Sequence, residues 1–482
     1  MNRKQRYSSP RAAEARIAQL GSVSVRLLIS IASIAALIIA AWVLVDGNSR
    51  IRSLTGGVSH AICSGVFVSG LKAEDVIART LRPLPGFGRI EGALHYEIDT
   101  SRRAVTTASI AGAFASRVVY RDRLGCVLVK QGSDTDEQAP VILGRDEDPS
   151  VPILKEIAPP SVVEPTEPRL RAALDEAFAE TGQPPHRFTA AVVVVSDSRV
   201  VAERYATGYG LETPLPGWSM TKSVINALIG ILVRQGQLSL AQPASVAEWR
   251  DPGDPRHAIT IDHLLRMTSG LAWEEDETKG SLARMLGMEN DMAGFAARSE
   301  LALPPGTKWY YNSGNTLILS RIIRDAVGGH AEDVLRFAKR DLFDPLGMRS
   351  VTLEFDGTGT PIGSTYMYAS ARDWARFGML YLNDGALNGR RILPEGWVRY
   401  SSSQTLHSPY AAGFWLSKGW RSRWNLPEDA FFASGFLGQR LVVIPSKQLV
   451  IVRLGNAHTP VWDLDGFGRL VSEVIAAIGP PG

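Results

Sequence analysis

Ser219 and Lys222, three residues apart in the stretch Gly217-Trp-Ser-Met-Thr-Lys-Ser223, form the pair in this sequence best placed to do covalent chemistry together. A serine hydroxyl is a poor nucleophile until a neighbouring base takes its proton. If a helix starts at Ser219, the i to i+3 spacing puts Lys222 on the same face one turn later. The residues that follow, "SVINALIGILV", are apolar nearly all round and predict a buried helix. Burial disfavours an ammonium, which is how a lysine becomes a base, and a helix N-terminus favours negative charge on the hydroxyl. The competing role for Ser219 is a helix cap. Ser-x-x-Lys is a loose pattern and recurs at Ser69-Gly-Leu-Lys72, where it reads as an ordinary surface turn. The Gly-x-Ser-x-Gly signature is not matched, because Thr221 stands at the second glycine position, and this disfavours an α/β-hydrolase. No His-Glu-x-x-His and no glycine-rich phosphate loop after a strand occurs, so neither a metal nor an organic cofactor is expected.

The elements that must hold such a pair are read from the rest of the chain. Its 482 residues exceed what one core usually organises. A composition of 45% hydrophobic and 21% charged residues, with a formal net charge of +3, excludes a disordered, fibrous or nucleic-acid-coating chain. "PRLRAALDEAFAETG" predicts an amphipathic helix leading into "TAAVVVVSDSRVVAERY", two β-branched runs joined by a turn and hence a hairpin. Near the other end "FFASGF", "QRLVVIP" and "QLVIVRL" predict three strands, followed by the helical "FGRLVSEVIAAIG". Both ends of the region from 169 onward therefore build one antiparallel sheet flanked by helices. The mostly helical middle forms a second lobe, with a cleft between them.

Ahead of this lies a different composition. Arg3, Lys4, Arg6, Arg11, Arg16 and Arg26, opposed only by Glu14, precede an uncharged apolar run from Leu27 to Val45. At about 1.5 Å per residue that run spans roughly 28 Å, close to the hydrocarbon thickness of a bilayer. One transmembrane helix is expected there, after a basic cytoplasmic tail over 1–26. A cleaved signal peptide is the rival, although "WVLVDGNSR" offers no clean small-residue cleavage site. Basic residues stay inside, so the remainder is expected outside the cytoplasm: a single-pass inner-membrane protein with a periplasmic body in a Gram-negative cell. Residues 47–130 read as a small α+β domain, with "AEDVIARTL" helical and "ALHYEID", "RAVTTASI" and "RVVYRD" as strands. The Pro-rich, acidic stretch 131–168 reads as a linker. The only cysteines, Cys63 and Cys126, fall in the small domain, and outside the cytoplasm a disulfide between them is expected over two buried thiols. Closing that loop contributes about 4 kcal/mol in the chain-entropy picture.

Three ordered motifs, "SMTKS", "YNSGNT" and "SGFLGQR", together with "ITIDHLLRMTSGLAW" and "PPGTKWYYNSGNTLILSRII", make the region from about 185 to 480 resemble the β-lactamase and penicillin-binding-protein family of serine hydrolases. Within its class C and esterase branch the motifs look most like the nylon-oligomer (aminohexanoate-dimer) hydrolase group. The resemblance implies the β-lactamase/transpeptidase-like α+β fold. It also implies Ser219 as acylated nucleophile, Lys222 as its base and Tyr311, which follows "PGTKW", as the acid for the leaving group. Tyr310 is then expected to pack. The family's Tyr-x-Asn reads here Tyr311-Asn312-Ser313, and Asn312 is the amide assigned to substrate. The strand motif that usually begins with Lys or His aligns with Ala433-Ser434-Gly435, so its basic residue is missing while Ser434 remains for substrate. A lysine at 433 is accordingly expected to improve β-lactam acylation. The backbone N–H groups of Ser219 and Phe436 are expected to form the oxyanion hole. Trp218 is expected to line the acyl pocket, with Trp309, Trp415 and Trp420 as further aromatics near the motifs.

These readings predict a membrane-anchored, extracytoplasmic serine hydrolase acting on a small ester or linear amide. A β-lactamase or cell-wall D-Ala peptidase on the same fold is the enzymatic alternative, and a non-catalytic sensory or binding module the other.

Overall fold

Strand β5, Thr189–Ser196, is buried at every one of its eight positions, which is why "TAAVVVVS" shows no polar alternation. Its alternate side chains serve two cores. Val193 and Val195 face a large cluster with helices α2 (Thr221–Arg234) and α4 (Ala371–Leu382), while Val192 and Val194 face α1 (Pro168–Phe178) and α5 (Leu464–Ile478). The hairpin to β6 (Arg199–Tyr205) turns at Asp197 and Ser198, both with positive φ; such turns match the twist of the paired strands. The computed structural model describes residues 47–84, 86–109, 112, 114–129, 153–180, 182, 186–276, 278–418, 424–458 and 463–479.

From the C-terminal side come β7 (Trp415–Leu416), β8 (Phe431–Gly435), β9 (Gln439–Ile444) and β10 (Leu449–Gly455). The six strands pair antiparallel in the order β7, β8, β9, β10, β5, β6, so the two ends of the region do build one sheet. The helical lobe is organised by α2, buried from Thr221 to Leu232, and by α3 (Ser313–Val327), whose Ile318 and Ile322 join the same core.

The small domain is a four-stranded meander, β1 (Leu94–Asp99), β2 (Ala104–Ser109), β3 (Ser116–Arg121) and β4 (Gly125–Val129). Sequence reading found three of these; β4 is short and follows the tight turn at Arg123 to Gly125. Against the meander lie a helix over 52–63 and the turns Ala73–Val76 and Ile77–Leu81, with Val58, Ile62, Phe87, Val105 and Val118 in the core. Cys63 and Cys126 are joined in a disulfide. The expected membrane segment, 27–45, lies outside the described residues, as does 131–152 of the expected linker; among the described residues no helix is long and apolar enough to cross a membrane. Residues 153–167 are docked rather than free-running: Ile153 and Leu154 N–H donate to Pro345 O at 2.9 and 3.0 Å, and Val200 N–H donates to Ile157 O at 2.8 Å.

The small domain packs directly on the region from 169 onward. Gly56 meets Gly287 so closely that a Cβ on Gly56 would lie 2.0 Å from Gly287 O. His458 Nε2 lies 2.9 Å from Arg79 O. Ser69, expected on a surface turn, is instead only 8% exposed and faces this junction. Its neighbour Gly70 is exposed and made the stretch look superficial; the covering surface comes from distant sequence.

At the centre of the junction sits a wholly buried carboxyl, Glu354. Its Oε1 accepts from Ser64 Oγ and from the Cys126 N–H, each at 2.8 Å, and its Oε2 lies 3.2 Å from His60 Nε2. Burial pushes the Glu354 carboxyl up to about 8 and the His60 imidazole down to about 4. The tyrosines facing the carboxyl, Tyr120, Tyr366 and Tyr368, are shifted upward, chiefly by burial, and stay neutral throughout. Unfolded, the two groups titrate near 4.5 and 6.5. Between those values folded and unfolded chains each hold one proton on the pair, so it adds no slope. Above 6.5 only the folded chain keeps a proton, on Glu354, so stability is expected to fall as pH rises toward 8, by about 2 kcal/mol across the window. Denaturation midpoints at pH 6.5 and 8.5 check this: Glu354→Gln, which cannot ionise, is expected to flatten the profile, and an unchanged slope in that variant would count against Glu354 as its source.

Candidate active site

Ser219 lies in the turn Trp218–Met220 that feeds directly into α2. The turn is fastened at both sides: Gly217 N–H donates to Met367 O at 2.8 Å, and Thr221 Oγ1 donates to Trp218 O at 2.7 Å. Trp218 itself has φ 48, a left-handed conformation that costs a bulky residue free energy and persists only where the surroundings impose it. Lys222, 3% exposed, brings Nζ to 3.0 Å from Ser219 Oγ and donates to Ser364 O at 2.8 Å. The pair expected from spacing is therefore assembled, with one lysine donor spent on a fixed carbonyl that holds the amine in place.

Tyr311 stands on the segment entering α3, its ring centroid 4.9 Å from Lys222 Nζ. Its ring is held by Tyr410, edge-on at 5.7 Å, and by Trp415 at 5.4 Å. Trp309 completes that wall, 6.0 Å from Tyr410 and 6.2 Å from Trp415. Tyr410, 1% exposed, was not singled out from sequence; only its contacts reveal it. Tyr310, expected to pack, points outward and is 48% exposed. Adjacent residues on an extended stretch face opposite ways, and here Tyr311 takes the inner side. Asn312 lies in the same segment, but its Oδ1 accepts the Asn315 N–H at 3.1 Å as the cap of α3, and the residue is 2% exposed. Trp420 lies outside the described residues.

The opposite side comes from the end of β8. A Cβ on Gly435 would fall 2.2 Å from Gly217 O, so only glycine lets this strand close on the turn that carries Ser219. Phe436 follows, its ring edge-on to Trp218 at 5.5 Å. Gln439 ties the turn down, donating from Nε2 to Phe436 O at 3.1 Å and accepting at Oε1 from Gly455 N–H at 3.0 Å. Ser434 is half-buried, opposite Arg440 in the β8 and β9 register. Ala433 is 1% exposed and belongs to the core cluster containing Trp374 and Phe377. This corrects the expectation for a lysine at 433: such a side chain would be driven into an apolar core, where an unpaired ammonium is costly.

The arrangement contains a hydroxyl beside an amine, a phenol over that amine, and two turns closing on the serine. It has the parts for acyl transfer through a covalent serine adduct. The "Beta-lactamase" family model matches residues 174–472, leaving the small domain outside the match. A 6-aminohexanoate-dimer hydrolase from Paenarthrobacter ureafaciens is 25% identical over 295 residues, covering 56% of this chain and 74% of that protein. Esterase EstB from Burkholderia gladioli is 29% identical over 209 residues, covering 38% of this chain and 50% of that one. Among solved structures, a penicillin-binding-protein homologue from Caulobacter crescentus superposes with a TM-score of 0.53 at 19% identity, over 66% of this chain and 99% of that chain, a likeness of fold alone.

Proposed function

We propose, for a chain that belongs to the beta-lactamase family of serine hydrolases, that it cleaves a short-chain ester or linear amide through an acyl-enzyme on Ser219. The observation that carries this reading is the 3.0 Å approach of Lys222 Nζ to Ser219 Oγ. In the acylation step Ser219 Oγ bonds to the substrate carbonyl carbon as its proton passes to Lys222. The carbonyl oxygen, now negative, is met by the N–H groups of Ser219 and Phe436. Tyr311 gives its proton to the departing oxygen or nitrogen as the carbonyl bond to it breaks, and recovers one through the Lys222 amine 4.9 Å from its ring. Water then attacks the acyl-enzyme by the reverse arrangement, releasing acid and restoring Ser219. Trp218 and Ser434 border the substrate; Asn312 serves by capping α3 behind Tyr311.

Linear amides and esters are favoured as substrates because one relative is named a 6-aminohexanoate-dimer hydrolase and another an esterase. The site also offers a carboxylate-bearing β-lactam little: Ala433 is core, and Phe436 carries no charge. p-Nitrophenyl esters are expected to show a clearly higher kcat/KM than nitrocefin, and the reverse order would favour a β-lactamase. A fluorophosphonate probe is expected to label the wild type and not Ser219→Ala. Absence of labelling in the wild type would favour a sensory or binding module.

The same reading places the hydrolytic region outside the cytoplasm on a single membrane anchor, supported by the uncharged run 27–45 and by the Cys63 to Cys126 disulfide. An alkaline-phosphatase fusion after Gly482 is expected to be active; an inactive fusion beside an active cytoplasmic reporter would reverse the orientation.

A further inference from the structure

The family match begins at 174, yet residues from the small N-terminal domain reach to within two side chains of the nucleophile. The link is the segment Ser364 to Tyr366, which touches one residue of the turn carrying Ser219, Trp218, and the first two residues of α2, Thr221 and Lys222. Ser364 O accepts from Lys222 Nζ at 2.8 Å, Thr365 O accepts from Thr221 Oγ1 at 3.3 Å, and the Tyr366 ring packs 5.9 Å from that of Trp218. A shift of this segment therefore displaces the lysine amine, the start of α2 and the strained residue before Ser219 together.

The hydrolytic region secures only part of this segment. Tyr366 O accepts from the Glu354 N–H at 2.9 Å, and its buried ring is covered on one face by His60, stacked at 3.9 Å and nearly parallel at 18°. His60 belongs to the helix over 52–63 of the small domain. It also lies 3.2 Å from Glu354. Glu354 in turn is gripped from the small domain by Ser64 Oγ and the Cys126 N–H. Both donors are placed by the disulfide: Ser64 follows Cys63 directly, and Cys126 is the other half of the bridge.

Resting on the acyl-enzyme reading of Ser219, we infer that the small domain is a working part of the hydrolytic site, with His60 as a positioning residue that presses Tyr366 and Trp218 into place. The Cys63 to Cys126 disulfide sets this clamp. The domain then acts on turnover without touching substrate: it holds the Ser219 and Lys222 geometry from behind. Losing it is expected to slow acylation with little change in substrate binding, because sub-ångström errors in a nucleophile's placement cost rate before they cost affinity.

The test uses the full-length protein and two readouts, the rate of fluorophosphonate labelling at Ser219 and kcat and KM for p-nitrophenyl acetate. His60→Ala removes the stacked ring, whereas His60→Phe keeps a ring against Tyr366 without the imidazole nitrogens. His60→Ala is expected to label at least about tenfold more slowly and to lose kcat in parallel, with KM within roughly twofold. His60→Phe is expected to recover most of both rates. In the wild type, reduction of the disulfide is expected to slow labelling and reoxidation to restore it, a measurement that needs no variant to fold. The inference is overturned if folded His60→Ala labels at the wild-type rate, if His60→Phe is as slow as His60→Ala, or if reduction leaves labelling unchanged. Wild-type protein that does not label at Ser219 would instead remove the acyl-enzyme reading itself.

Discussion

Lys222→Ala is expected to lower the rate of Ser219 acylation by about two orders of magnitude or more, the usual scale for loss of a general base. Its Nζ is the basic group seen beside Ser219 Oγ, at 3.0 Å. The residue is 3% exposed, so solvent is poorly placed to substitute for it. Lys222→Met keeps the side-chain volume and should lose as much, which separates chemistry from packing. Tyr311→Phe is expected to cost a comparable factor when the leaving group is an amine or alcohol that needs a proton, and less with p-nitrophenolate, which leaves unaided. Tyr310→Phe is expected to be neutral, since that ring is 48% exposed. Rates of probe labelling and steady-state hydrolysis, with thermal midpoints as the folding control, check all four variants. A damaging Tyr310→Phe beside a harmless Tyr311→Phe would exchange the two assignments.

The largest expected effect on stability is at Arg372. Its guanidinium forks onto Glu203, donating from Nε to Oε2 at 2.9 Å and from a second nitrogen to Oε1, and it also donates to Pro159 O and Ser161 O at 2.8 Å each. Glu203 is wholly buried and Tyr205 Oη donates to it as well, at 2.8 Å. Removing only the cation strands a carboxylate in the interior, so Arg372→Ala is expected to destabilise the fold by about 3–5 kcal/mol. For a region of this size that corresponds to a fall in thermal midpoint of roughly 6 °C. Replacing both partners by apolar residues, Arg372→Met with Glu203→Leu, is expected to recover much of the loss, because no charge is then left unpaired. A single Arg372→Ala as stable as the wild type would mean that water reaches Glu203.

The contact also shows why part of the chain resisted reading. Residues 153–167 carry the prolines and acids of a linker, and composition reports how a segment behaves when nothing covers it. Here Arg372, 211 to 213 residues away, and Glu203, 40 residues away, supply hydrogen bonds that help dock it. Asn312 is ambiguous for a related reason. An asparagine beside Tyr311 suits a substrate contact and a helix cap equally, and here its Oδ1 accepts the Asn315 N–H as the cap of α3.

What the sequence determined by itself was local or periodic. Ser219 and Lys222 meet because helical spacing brings i and i+3 together. The hairpin β5 and β6 follows from β-branched runs and the strands β8 to β10 from short, mainly apolar runs; β5 and β10, which lack alternation, are buried on both faces. Cys63 and Cys126 pair because no other cysteine exists. Only the tertiary structure decided which face each ambiguous residue presents: Tyr311 inward and Tyr310 outward, Ala433 into the core, Ser69 into the junction between the small domain and the region from 169 onward. It also decided that His60 and Glu354, separated by nearly three hundred residues, share one buried site behind the turn that carries Ser219. No local pattern announces such a contact, because its free energy lies in excluding water from groups that the fold alone brings together.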